Sequence, residues 1–171
     1  MGFSNDHLRN LAESPGGRVN PGFELIIAFD YYDGPERGLA LLSCGAGVRF
    51  STLGDSRSRL FRSFELTPIE GTWWAQAQLV PEVAAAPHSR PIVLPSSTSK
   101  ALCELERQVF SAPAAGHYVG VGGAHFEWLA VSSIGKDELQ ALRQLGGSPA
   151  GFQSVHQFLK RRAQTRGEIN V

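Results

Sequence analysis

The sequence predicts an α+β fold: an antiparallel sheet made of a four-strand meander plus a later hairpin, with about three helices packed on one face. Three observations predict it. Between residues 23 and 67, four apolar runs are separated by short turns rich in glycine and polar residues. Further on, Gly122-Gly123 joins two more strand-like runs, HYVGV and AHFEWLAVS. Three later segments, 96–111, 136–145 and 149–166, carry apolar residues at the three- and four-residue spacing of helices.

Taken in order, residues 4–12 fit a short helix with Ser4 or Asn5 as N-cap and Leu8 and Leu11 on one side. Breakers crowd 14–22, so 1–22 reads as a flexible lead-in to a single domain spanning 1–171. FELIIAFDYY (23–32) is apolar on both alternating faces, the mark of a strand covered on both sides. The turn DGPERG, the run LALLS, a glycine turn, the run VRFST, the turn LGDSRS and the run RLFRSFELT complete the meander. In the last run Arg62 shares a face with Phe64 and Leu66, and one side of that strand is expected to meet water.

WWAQAQLV (73–80) alternates and is read as a strand, although its length also suits a helix, and PEVAAAPHSRP (81–91) reads as a proline-bounded loop. IVLP gives a short strand. SSTSKALCELERQVFS then starts a helix capped by Thr98 or Ser99, with Leu102, Leu105 and Val109 as its core stripe. After the second hairpin, KDELQALRQL and a segment over 149–166 supply two more helices, the latter with Pro149 in its first turn.

Composition bounds the function classes. Apolar residues make up 42% and charged residues 19%, which sets the chain apart from disordered sequences. Lys plus Arg equals Asp plus Glu, 16 against 16, so no net field draws in nucleic acid or an anionic membrane, and neither is expected as a partner. There is no apolar run of membrane-spanning length and no secretory leader pattern, so a cytoplasmic location is expected. Cys44 and Cys103 are too few for a disulfide framework or a zinc site. The bias of arginine over lysine suggests a bacterial origin.

Three fragments resemble chemistry and fail on context. SCGAG (43–47) looks like a nucleophile elbow, but an elbow leads into a helix whose amides hold an oxyanion, whereas VRFST follows; a tight turn with a buried thiol is expected instead. GVGGAH (120–125) looks like a phosphate loop but is followed by a strand. SSTSK (96–100) does precede a helix, yet the P-loop frame is absent and ordinary capping explains it. No cofactor or metal is expected.

Two constellations remain. A two-residue turn at Gly122-Gly123 sets Val121 opposite Ala124, Gly120 opposite His125 and Tyr118 opposite Glu127, so Tyr118, His125 and Glu127 share one face. An imidazole beside a carboxylate and a phenol suits a general base or two ligands of a metal, with Asp30 or His117 as a conceivable third. The first hairpin tip gathers Asp30, Tyr31, Tyr32, Asp33 and Glu36, an acidic and aromatic group of the kind that recognises partners, because tyrosine supplies rigid contact area and carboxylates attract cations. Trp74 is a further candidate contact, since adjacent tryptophans on a strand point to opposite sides. The basic run Lys160, Arg161 and Arg162 suits a helix C-terminus.

The leading expectation is a non-catalytic module that binds a protein or peptide through the acidic-aromatic tip. The alternatives are a small hydrolytic or metal-assisted enzyme centred on Tyr118, His125 and Glu127, and a self-associating structural protein, a homo-oligomer.

Overall fold

The computed structural model describes residues 22–53, 62–87, 91–123 and 125–144, together with Gln157 and Arg161. The expected lead-in, except Gly22, and the expected final helix, except Gln157 and Arg161, lie outside these residues, as do Leu60 and Phe61. Gln157 and Arg161 are both helical and exposed.

Seven strands form one mixed sheet, antiparallel at every pairing but one. The meander is β1 (Leu25–Tyr31), β2 (Pro35–Leu41), β3 (Gly47–Leu53) and β4 (Arg62–Ile69). The later strands are β5 (Ile92–Val93), β6 (Tyr118–Gly122) and β7 (Leu129–Ser133). Their order is β5-β1-β2-β3-β4-β6-β7, with β5 parallel to β1. The expected α+β class and mostly antiparallel sheet are therefore present. Leu25 through Phe29 are all buried, as a strand apolar on both faces requires.

Among the described residues, four α-helices precede Gln157 and Arg161: α1 (Trp73–Gln78), α2 (Pro81–Ala85), α3 (Lys100–Ser111) and α4 (Lys136–Gln144). No described helix is long and apolar enough to cross a membrane. α3 is capped by Ser99, whose Oγ accepts from the Leu102 amide at 3.1 Å, and it buries Leu102, Leu105 and Val109 as the spacing predicts.

Two elements differ from expectation. WWAQAQLV is helical, because its buried positions Trp73, Ala77 and Val80 recur at four and three residues and form a helical stripe; Leu79, expected to point inward, is 82% exposed. The segment after it is not wholly loop, since Pro81 at the first helical position starts α2 with Glu82 in its first turn.

Register divides the sheet into two faces. On one, Leu25, Ile27, Leu39 and Leu41 pack with Trp73, Val83, Leu102, Leu105 and Val109, while at the other end Val119 and Val121 pack with Leu139 of α4. Ile27, Leu39, Arg49 and Thr67 lie side by side across β1 to β4, so the floor between these two apolar groups is polar. The opposite face is a cluster including Ala40, Val48, Phe50, Phe64, Leu66, Tyr118, Leu129 and Val131. Both sides of β4 are occupied: Ser63 is buried and Glu65 half-buried, so the water-facing side expected for this strand is not found.

Gly38 sits where the Ile27 carbonyl of β1 and the Phe50 ring of β3 close in on β2. A Cβ there would collide with the Ile27 carbonyl oxygen and lie 2.8 Å from the Phe50 ring. Only glycine lets Phe50 fill the core at this point.

Candidate functional site

The β1–β2 turn, the start of β4 and the β6–β7 connection all lie at one end of the sheet, because antiparallel neighbours place these termini together. The turn is irregular. Register shifts flank Asp30, and such bulges bend a strand and re-aim its side chains. Asp30 Oδ1 accepts from the Tyr31 amide at 3.1 Å, Tyr32 N donates to Gly34 O at 3.0 Å, and Asp33 takes φ 53, a left-handed conformation that aspartate tolerates. The side chains of Tyr31 and Tyr32 are left 41% and 58% exposed.

This exposed turn is held from inside by Arg62, which is 1% exposed. Its Nη1 donates to the carbonyls of Gly34 at 3.1 Å and Pro35 at 3.4 Å, and its Nη2 donates to the carbonyl of Tyr32. Nε has no partner. Burial pulls the Arg62 pKa below the ordinary guanidinium value, while Glu36, then Asp33, oppose that shift. Arginine keeps its charge at such a site, so a fixed cation ties three carbonyls of the turn to β4. Sequence reasoning placed Arg62 on the correct face but missed this role; the available signal was an arginine flanked by apolar residues on a strand neighbouring the meander's first turn.

Across from the tip lies a six-residue connection rather than a two-residue turn. β6 runs through Gly122, which pairs with Leu129, and the expected register is corrected accordingly: Val121 faces Ala130, Gly120 faces Val131 and Tyr118 faces Ser133. The connection closes on itself, with Gly123 N donating to Trp128 O at 3.1 Å and Phe126 N to Gly123 O at 3.0 Å. Phe126, at φ 60, turns inward and stacks on Phe64 with ring centroids 4.5 Å apart, beside Phe50 at 4.9 Å. Burying that ring dictates the longer loop, which a glycine pair read by turn grammar alone does not reveal.

The trio Tyr118, His125 and Glu127 is therefore not assembled as expected. Tyr118 is buried in the apolar cluster, four residue pairs from the connection, or roughly 13 Å along the strand. His125 and Glu127 are exposed, and the Glu127 carboxylate folds over Gly123 and accepts from the His125 amide at 2.9 Å. Among the described residues no three of His, Cys, Asp and Glu gather as a metal site.

The structure instead brings His125 to the tip, its ring 6.3 Å from that of Tyr31 at 34°. Tyr31, Tyr32, Asp33 and His125 thus border one surface, with half-buried Glu36 behind them. Trp74 does not join it. It lies in α1, which follows the far end of β4, and packs half-buried against the helix-covered cluster. Cys44 and Cys103 are both exposed, so the buried thiol expected at 43–47 is not found. The chain matches no protein-family model, no curated protein and no solved structure.

Proposed function

We propose that the end of the sheet formed by Tyr31, Tyr32, Asp33 and His125 is a recognition surface, and that the protein acts as a non-catalytic module binding a protein or peptide that presents a cationic side chain. The observation that carries this reading is Arg62. A buried guanidinium is costly to desolvate, and here its bonds serve an exposed turn rather than a core element. Holding that turn still reduces the ordering cost of binding, and two tyrosines supply contact area with few rotatable bonds. Asp30 and Asp33 supply the negative charge that favours a lysine or arginine on the partner.

A displayed random-peptide library selected on the full chain tests the reading. Recovered peptides are expected to share a lysine or arginine, and Tyr32→Ala with intact fold is expected to weaken them at least about tenfold, which is about 1.4 kcal/mol. Peptides that bind the Tyr32→Ala protein undiminished, or a selection that recovers nothing, would count against it.

A further inference from the structure

On the helix-covered face, between α3 and α4, the polar floor opens into a cleft of about 260 Å³. Arg49, Ser51, Glu65 and Thr67 line its base from β3 and β4, Phe110 and Arg143 stand at its sides, and Arg37 reaches it from β2.

Its charges are unevenly committed. Arg143 takes up Glu65 in a two-pronged pair, Nε to Oε2 at 3.0 Å and Nη2 to Oε1, so that carboxylate is already matched. Arg49 spends Nη1 on the carbonyls of Val109 at 3.1 Å and Ala112 at 2.8 Å, at the C-terminus of α3, which leaves its Nε and Nη2 unbonded among the described residues. The Arg37 guanidinium lies 3.4 Å over the Phe110 ring, and its ion pair with the Glu106 carboxylate, at 3.8 Å, is longer than a hydrogen bond. Two guanidinium forks thus face the cleft with donors to spare. Burial lowers the Arg49 pKa; Glu65 opposes that shift, and Arg37 and then Arg143 add to it.

We propose that this cleft binds the oxyanion of a small organic compound, a phosphate ester or a carboxylate, between Arg37 and Arg49, with the Ser51 and Thr67 hydroxyls beneath it and Phe110 against its carbon portion. Guanidinium forks match oxyanions in pairs of donors. At about 30 Å³ per water-sized group the cleft has room for a compound of roughly eight non-hydrogen atoms. The site is separate from the tyrosine surface and does not depend on it.

The test is an NMR titration of the full chain with inorganic phosphate and, separately, with malonate, each against sodium chloride at equal ionic strength. Saturable shifts are expected at the side-chain Nε–H of Arg37 and Arg49 and at the Thr67 amide. Saturation by phosphate alone assigns a phosphate ester, and saturation by malonate alone a carboxylate. Arg37→Gln is expected to weaken the response at least about tenfold, as loss of a charge-assisted bond does. Thr67→Val, which removes a hydroxyl at nearly constant volume, is expected to weaken it less, and Tyr32→Ala not at all. Shifts that stay linear in concentration, that chloride reproduces, or that Arg37→Gln leaves unchanged overturn the proposal.

Discussion

The guanidinium of Arg62, among the most deeply buried side chains at the start of β4, donates to the carbonyl oxygen of Tyr32, whose own ring stands in solvent at the tip of the first hairpin. Removing that link tests how the tip is held. Arg62→Ala leaves three carbonyls without their donor and a void beneath the turn, and is expected to cost about 3 kcal/mol in urea unfolding. Exchange of the Tyr32 amide, which donates to Gly34 O, should accelerate more than exchange in α3.

Phe126→Ala removes the ring that stacks on Phe64 and meets Phe50 edge-on. A loss of about 3–5 kcal/mol is expected from the cavity left behind. Calorimetric melting measures it, and a loss no larger than that of an exposed substitution such as Leu79→Ser, within about 0.5 kcal/mol, would show that the loop does not anchor the second hairpin.

Gly38→Ala places a methyl group against the Ile27 carbonyl and the Phe50 ring. Overpacking of this kind is expected to cost about 1–3 kcal/mol, seen as a lower denaturation midpoint at unchanged slope.

Glu104 provides the pH test. Its carboxylate accepts from Arg107, most strongly, and from Gln108 Nε2 at 3.0 Å, and these bonds hold its pKa at about 2 instead of the ordinary 4.5. The folded pKa is depressed, so the stability this group contributes is fully present above the unfolded value and is lost as pH falls from 4.5 through about 2. Carboxyl NMR should show the low midpoint, and Arg107→Gln should return it toward the ordinary carboxylate range.

The meander was legible because its strands follow one another through turns whose glycine and aspartate residues announce themselves, and each strand pairs with the next. Leu102, Leu105 and Val109 were legible because one spacing fits only one helix face. Elsewhere the deciding partner lay far along the chain. Alternation in WWAQAQLV is also compatible with a helix, and packing of Trp73, Ala77 and Val80 against the sheet decided the matter. The Gly122-Gly123 dipeptide marked a hairpin correctly but not its length, because burial of Phe126 outweighs turn preference. The neighbours that give Arg37, Arg49 and Arg143 a common cleft come from three separate elements, which no local pattern exposes.

The parallel pairing of β5 with β1 sets an order of assembly. Once the chain has emerged through Ile69, β1 to β4 can pair with one another, but the outer edge of β1 stays open until Ile92 and Val93 arrive and that of β4 until Tyr118–Gly122 does. During that interval a nascent chain presents unpaired backbone donors and acceptors beside its most apolar strand. A chain halted with the meander emerged and β5 and β6 still missing would hold two open sheet edges, each a template for pairing with another chain.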